Sequence, residues 1–269
     1  MAIVIFPKCQ LSKPLPGAHI NWGHPLANGL VGCWVLSEGS SGPRSLIDNT
    51  LGTLNGGIAW VPIQGLGLQA NGTTGYADLG SSAPAAPASG TYSVLVRVML
   101  QRVSPSYPMI VARAAGTGND WEIGISSSTN FPYVGFNGGP NYTMATLTVT
   151  DNVAPCDIVF TCDGALFRGY LNGVLDVGGT SNQLVWRTAN GNVNFCRRPG
   201  DNYFGGNGQV VYHVYFFNRC LQQAEIITLY TNPYVFLQPQ SPQERYWAVS
   251  PAAAAGPTLT LQWQGVDIR

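Results

Sequence analysis

The residues best able to do acid–base chemistry in this 269-residue chain are few and widely spaced. Asp120 and Glu122 flank Trp121, and side chains two positions apart share one face of a β-strand. Retaining cleavage of a glycosidic bond needs two carboxyl groups about 5–5.5 Å apart, one as nucleophile and one as acid. A single pair at the start of a strand is more typical of a solvated turn, so hydrolysis is the least favoured interpretation.

Histidine and cysteine, which serve nucleophilic and metal chemistry, form no recognisable site. His19 and His24 lie in a Pro-rich segment, and His213 lies within an aromatic strand, where a packed sheet residue is expected rather than a base. The six cysteines are irregularly spaced and include no CxxC pair, which favours buried, reduced thiols over a zinc site or disulfides. We therefore expect no cofactor and no metal.

Aromatic and amide side chains collect in loop regions, and this composition is typical of sugar-binding surfaces. Such sites stack rings on the apolar faces of sugars and add hydrogen bonds from amides or carboxylates. The alternative is that the rings close the open ends of a hydrophobic core. The residues concerned are Trp121, Tyr133, Asn137, Tyr142, Asn202 and Tyr203.

Charge and composition limit the partners. Thirteen basic residues balance thirteen acidic ones, so the net charge does not favour nucleic acid or an anionic membrane. Only 10% of residues are charged, which is typical of a surface covered by partners. No apolar run reaches about 18 residues, and the N-terminus lacks a signal-peptide pattern. We expect a protein made in a cytoplasm, with no membrane or nucleic-acid partner.

The elements that would position these residues are short strands between turns, since 33 glycines and 19 prolines are spread without a period. Alternating apolar patterns predict strands at 92–100, 157–163 and 209–217. Within the last strand, the pattern predicts that four residues share one face: Val210, Tyr212, Val214 and Phe216.

A hairpin and one helix complete the predicted elements. Asn172-Gly173 predicts a type I′ turn after a strand at 166–171, because both residues tolerate a positive φ. Helical spacing of apolar residues predicts a helix over Leu221–Tyr230 that ends at Asn232-Pro233.

Both ends of the chain are expected to be extended arms. Residues 1–28 are Pro-rich and irregular, residues 29–236 carry the strand and helix patterns, and residues 237–269 form a tail with one alternating segment. A strand so far from the core is expected to pair with another subunit. The predicted subunit contacts are apolar residues of these arms: Trp22, Trp247, Leu259, Leu261 and Trp263.

Four stretches, taken in order, resemble the laminin-G-like modules of the concanavalin A-like lectin/glucanase superfamily. They are the opening strand and acidic-Gly turn at 29–39, the strand pair at 65–79, the "YvNG" hairpin at 167–174, and the final strand with its helix at 209–230. The resemblance implies an all-β fold, a two-sheet antiparallel jelly-roll sandwich with one short C-terminal helix and extended arms.

Other segments narrow this resemblance. Residues 20–34 and 232–236 are similar to such modules in tailed-phage genomes, where they are virion proteins rather than enzymes. Active glucanases of the superfamily carry a Glu-x-Asp-x-Glu pattern that is absent here. Many relatives also carry a carboxylate pair, sometimes linked to Ca²⁺, where this chain has Tyr212 and His213. Because calcium requires several hard oxygen ligands, a family-type calcium site is not supported.

The favoured hypothesis is a non-enzymatic virion structural protein, either decorating a phage capsid or associated with the tail. It would bind neighbouring virion subunits, including copies of itself, through its arms. One alternative is a lectin-like adhesion module for host or mucus glycans, which is compatible with the first hypothesis. The other alternative is a glycoside hydrolase that uses Asp120 and Glu122.

Overall fold

The structure is a computed structural model, and it describes part of the chain. The described ranges are 13–81, 91–100, 108–115, 118–126, 130–136, 139–150, 154–164, 166–178, 180–181, 191–199 and 203–238. The chain divides into a unit of residues 1–239 and a unit of residues 240–269, and the second lies outside the described ranges. No helix within these ranges is long and apolar enough to cross a membrane.

Short strands are the main elements of the described part of the first unit, which also contains one α-helix, α1 at Gln223–Thr231, and a 3₁₀ turn at Pro25–Ala27. The first nine strands are β1 His19–Ile20, β2 Leu30–Trp34, β3 Thr53–Asn55, β4 Ala59–Val61, β5 Gly67–Gln69, β6 Tyr76–Asp78, β7 Thr91–Met99, β8 Met109–Ala115 and β9 Gly118–Ile125. The remaining strands are β10 Pro132–Phe136, β11 Gly139–Thr143, β12 Cys156–Asp163, β13 Phe167–Leu171, β14 Val174–Leu175, β15 Thr180–Ser181, β16 Asn192–Phe195, β17 Val210–Phe217 and β18 Leu237–Gln238.

These strands form two antiparallel sheets and one separate strand pair. The helix-side sheet has the order β14-β13-β12-β7-β17-β5-β4, with β2 also paired to β17. The opposite sheet has the order β15-β11-β10-β9-β8-β16-β6-β3. The separate pair joins β1 to β18, with His19 opposite Gln238. The predicted all-β, two-sheet antiparallel sandwich with one short helix is confirmed.

The main core lies between the two sheets, and strand alternation explains how it is filled. In β7, Val94, Val96 and Val98 point into this core, whereas Leu95 points to the outer face. The Trp34 ring stands edge-on to two core rings, with centroids 5.8 Å and 5.9 Å away. Full burial of an aliphatic side chain such as Val96 contributes about 1.5–3 kcal/mol to folding.

A second cluster covers the outer face of the helix-side sheet. Ile226 and Leu229 of α1 pack there with Tyr215 and Phe217 of β17, so the predicted helix and its apolar face are confirmed. The predicted hairpin is also confirmed, since residues 172 and 173 have φ values of 52° and 79° between β13 and β14.

The predicted arm at 1–28 is partly wrong. Ala18, Ile20, Leu26 and Ala27 are buried, and the last three belong to the second cluster. Proline keeps this segment out of the large sheets, but it does not stop apolar side chains from covering an exposed sheet face. The part of the arm that the structure describes therefore belongs to the sandwich.

The predicted facing of β17 is wrong on one side of a β-bulge. Val211 pairs with Val98, and the next pair joins His213 to Arg97, so Tyr212 is an extra residue. The strand changes face at this point: Val211, Val214 and Phe216 enter the main core, while Tyr212 lies outside it. The bulge therefore brings Tyr212 and His213 together on the outer face of the sheet.

Candidate functional site

A row of three polar residues crosses the helix-side sheet next to this bulge. Asp157 of β12 is paired with Arg97 of β7, and Arg97 is paired with His213 of β17. Arg97 Nη1 lies 3.1 Å and 3.2 Å from the two carboxylate oxygens of Asp157. Asp157 is 1% exposed, and its burial raises its pKa to about 7 although the Arg97 charge acts to lower it.

His213 is held among aromatic rings at the end of this row. Its ring stacks on Tyr215 at a centroid distance of 4.7 Å, and its Nδ1 lies 3.4 Å from the hydroxyl of Tyr234. Burial lowers the pKa of His213 well below its ordinary value, and the charges of Arg97 and Lys13 act in the same direction. The imidazole is therefore neutral at pH 7, and the prediction of a packed sheet residue is confirmed.

Lys13 brings a second positive charge to the bulge. Its Nζ donates to three main-chain carbonyl oxygens, those of Leu36 at 2.7 Å, Leu66 at 2.5 Å and Tyr212 at 2.7 Å. Burial lowers the pKa of Lys13 to about 7, while the nearby charge of Glu38 acts to raise it. The three acceptors use all three ammonium protons, so Lys13 fastens the N-terminal segment to the bulged strand.

Lys13, Arg97, Tyr212 and Tyr234 border a cavity of about 480 Å³, named here the tyrosine cavity. A turn before β5, the bulge of β17 and the C-terminal end of α1 form its walls. The Tyr212 hydroxyl is already committed to the carbonyl of Ile63, at 2.6 Å, whereas Tyr230 is 39% exposed. The lining residues are Lys13, Gln64, Gly65, Arg97, Tyr212, Tyr230, Thr231, Pro233 and Tyr234.

Two of the predicted sugar-binding residues are core residues instead. The Trp121 ring is 2% exposed and lies 5.1 Å from that of Phe216, between the sheets. Tyr142 is 3% exposed, and its hydroxyl donates to Asp176 at 3.1 Å. The prediction that these rings meet a sugar is wrong, because their own chain covers both. Both rings instead agree with the alternative interpretation, in which aromatic side chains close the hydrophobic core.

Two others, Tyr133 and Tyr203, join a second polar group, named here the Glu122 cluster. Glu122 accepts a hydrogen bond from the Tyr133 hydroxyl at 3.0 Å and pairs with Arg198 at 3.2 Å. The Arg198 guanidinium lies 4.0 Å from the centroid of the Tyr203 ring. Glu122 and Tyr133 are 2% and 4% exposed, so this cluster is closed and neither side chain presents a surface to a ligand. The Asp120 side chain lies outside the description.

The remaining predicted contacts divide between exposed and undescribed residues. Trp22 is 60% exposed and stays a predicted subunit contact. The others lie outside the described residues: Asn137, Asn202, Trp247, Leu259, Leu261 and Trp263. Within the described ranges, no group of three or more His, Cys, Asp or Glu side chains is placed to hold a metal ion.

Sequence reasoning missed the residues of the tyrosine cavity. One signal was present: Arg97 and Asp157 are opposite charges in strands that are otherwise mostly apolar, which is typical of a cross-strand pair. The Lys13 contact had no such signal, since 199 positions separate it from Tyr212.

Comparison with solved structures finds the same fold at low sequence identity. A Trypanosoma rangeli sialidase in complex with sialic acid matches with a TM-score of 0.58 and 16% identity, over 77% of this chain and 33% of the sialidase. This chain therefore spans about one third of the sialidase's length.

Two further structures match over a larger share of their own length. Domain 4 of a GH43 extracellular arabinanase from Geobacillus stearothermophilus, in complex with arabinotriose, gives a TM-score of 0.54 and 16% identity over 74% of this chain and 97% of the domain. The binding domain of botulinum neurotoxin serotype D/C gives a TM-score of 0.57 and 12% identity over 76% of this chain and 52% of the toxin domain.

A family model supplies the sequence-level match. No curated protein sequence matches the chain significantly. The model described as the concanavalin A-like lectin/glucanases superfamily matches residues 71–227, more than half of the chain. Because that description covers lectins and glucanases alike, the match does not establish catalysis. This match, which agrees with the two-sheet antiparallel fold, identifies the chain as a member of the concanavalin A-like lectin/glucanase superfamily.

Proposed function

We propose that this chain is a non-catalytic glycan-binding module and that its ligand occupies the tyrosine cavity. The observation that carries the proposal is a cavity of about 480 Å³ bordered by Tyr212, Tyr230 and Tyr234. Ligand sites in proteins commonly enclose about 300–1,000 Å³, with aromatic walls and a few polar groups. The complex of the arabinanase domain with arabinotriose supports a sugar as the ligand class.

The carboxylates of the described residues support binding rather than hydrolysis. Among the described residues, no aspartate or glutamate lines the tyrosine cavity. Glu122, one of the two carboxylates predicted for hydrolysis, is held by Arg198 and the Tyr133 hydroxyl in a closed cluster. Retaining hydrolysis would require two carboxyl groups on one bound sugar.

A glycan array, read both with calcium and with a chelator, tests the proposal. We expect binding under both conditions, and a loss of affinity of about two- to twelvefold in Tyr230→Ala because a stacked ring contributes about 0.5–1.5 kcal/mol. Ile227→Ala is the matched control, since Ile227 is an exposed residue of the same helix and does not line the cavity. A blank array, or equal losses in the two variants, would contradict glycan binding at this site.

A second proposal is the virion structural role, either in capsid decoration or at the tail. Trp22 supports it, because a tryptophan 60% exposed to water gains by contact with another subunit. The low charged fraction, 10%, is also typical of a covered surface. Mass spectrometry of purified phage particles and sedimentation of the pure protein test this role. A monomeric protein that is missing from particles would contradict it, whereas assembly that weakens in Trp22→Ser would support it.

A further inference from the structure

We propose that the tyrosine cavity selects acidic saccharides, whose carboxylate is bound by the guanidinium of Arg97. This inference rests on the proposed glycan-binding function and adds the ligand's chemical class.

The hydrogen-bond donors of the cavity wall favour a ligand that accepts hydrogen bonds. Arg97, Gln64 and Tyr230 supply N–H and O–H donors, whereas no carboxylate among the described residues lines the wall. The hydroxyl groups of a neutral sugar donate as well as accept, so a site for neutral sugars gains from acidic side chains. A wall with the Arg97 cation, the partly charged Lys13 amine and no described acid instead complements a negatively charged ligand.

Arg97 is oriented from behind by Asp157. Its Nη1 binds both oxygens of that carboxylate, and Asp157 is 1% exposed while the Arg97 side chain is 28% exposed. Within the described residues, Arg97 Nε and Nη2 have no acceptor. These two nitrogens form the planar fork that binds a carboxylate with two parallel hydrogen bonds.

Lys13 adds positive charge at the wall without competing for the ligand. Its three protons are taken by the carbonyl oxygens of Leu36, Leu66 and Tyr212, so the ammonium is fixed in place. Because the pKa of Lys13 is about 7, its amine is partly charged at pH 7; this charge raises the local concentration of an anion, and Arg97 makes the directional contact.

Tyr230 supplies the contact to the sugar ring itself. It is 39% exposed, and its side chain lines the cavity next to Thr231. A carboxylated sugar has an apolar ring face and one charged group, which matches an exposed aromatic ring beside a guanidinium. Free carboxylate ions such as acetate have the charged group but no sugar ring, so the contact with Tyr230 distinguishes an acidic saccharide from a simple carboxylate.

The test compares acidic oligosaccharides with their neutral methyl esters, so that only the charge differs. The array carries uronic-acid and sialic-acid oligosaccharides, each beside its methyl ester, and titration calorimetry then measures trigalacturonic acid, its methyl ester and acetate. We expect acidic forms to bind at least tenfold more tightly than their esters and far more tightly than acetate. Arg97→Lys should abolish this preference, because lysine keeps the charge beside Asp157 but lacks the fork.

Two variants guard against misfolding of Arg97→Lys. Gln64→Glu places an acid at an exposed position of the wall and should weaken the acidic forms alone, while Arg168→Lys, at an exposed pair outside the wall, should change nothing. Equal binding of acids and esters would overturn this inference but would still support glycan binding. Acetate that binds as well as the saccharide would also overturn this inference. A completely blank array would overturn the proposed function itself.

Discussion

The tyrosine cavity and the Glu122 cluster are built from the same kinds of residues. Each has a buried carboxylate paired with an arginine and tyrosines beside it: Asp157 lies behind Arg97 of the cavity wall, and Glu122 pairs with Arg198 in the cluster. In the cluster, the Tyr203 ring covers the guanidinium at 4.0 Å, whereas an open space of about 480 Å³ adjoins Arg97. The comparison shows that residue type alone does not make a binding site, because the open space beside the arginine decides whether a ligand can reach it.

The local backbone explains the difference between the two regions. At the cavity, the bulge at Tyr212 interrupts the regular pairing of β17 and turns two large side chains outward. At the cluster, the N–H of Arg198 donates to the carbonyl of Tyr203 at 2.9 Å, which brings that ring onto the guanidinium.

Removing each arginine in turn should give the largest difference in stability between the two regions. Arg97→Met leaves Asp157 buried without its partner, which costs about 3–5 kcal/mol of unfolding free energy. Arg198→Met should cost less, because the Tyr133 hydroxyl still donates to Glu122. Urea unfolding measures both values. The double variant Arg97→Met/Asp157→Leu should recover most of the loss, and equal losses in the two single variants would show that the regions do not differ as described.

A methyl group placed against the bulge should have the next largest effect. A Cβ at Gly67 would lie 2.8 Å from the carbonyl oxygen of Val211 and 2.6 Å from a Val210 methyl carbon. Gly67→Ala should therefore cost about 1–3 kcal/mol and weaken saccharide binding, because β5 must move away from the bulge. Gly23→Ala is the control, since its nearest neighbour is the flexible Asn21 side chain at 3.3 Å. Unchanged stability in Gly67→Ala would show that the bulge is not tightly packed.

The pH dependence of stability should identify the charges around the cavity. The pKa of Asp157 is raised from 3.8 to about 7, so the folded state binds more protons and stability falls as pH rises from about 4 to 7. The pKa of Lys13 is lowered from 10.5 to about 7, so its contribution rises between about pH 7 and 10. By themselves these two contributions give a minimum near pH 7, while the lowered pKa of His213 makes stability rise with pH up to about 6.5 and so opposes Asp157 on the acid side.

Melting temperatures across this range measure the effect. Asp157→Asn should flatten the acid side and Lys13→Met the alkaline side, each without changing the other. A pH profile that neither variant changes would contradict the burial of these two groups.

An exposed ion pair gives the smallest expected effect and calibrates the others. Arg168 and Asp163 lie 2.8 Å apart, and each side chain is 37% exposed. Arg168→Ala should change the unfolding free energy by less than about 1 kcal/mol, since water screens the pair. A loss in Arg168→Ala as large as that in Arg97→Met would mean that burial does not set the strength of these pairs.

Local patterns predicted the elements well. The predicted strand at 92–100 is observed at Thr91–Met99, the helix predicted at 221–230 is observed at Gln223–Thr231, and Asn172-Gly173 forms its turn. These features depend on neighbouring residues, whose spacing and backbone preferences are visible in the sequence.

The site depended on contacts between distant residues, and local patterns do not contain them. The extra residue at Tyr212 exists only relative to its partner strand, so strict alternation placed it on the wrong face. Lys13 meets carbonyl oxygens from three separate segments. Trp121 has the composition of a binding residue, but the paired sheets bury it.

The short β1–β18 pair has a consequence for how the chain could be rearranged. Because His19 and Gln238 are opposite each other, their Cα atoms lie about 4.5–5.5 Å apart. One or two added residues would join these positions covalently, and new termini could be opened at the exposed Asp48-Asn49 turn. Such a circular permutant would keep every strand of both sheets but lose residues 1–18, including Lys13, so its refolding would measure how far the sandwich depends on strand order and on the Lys13 contacts.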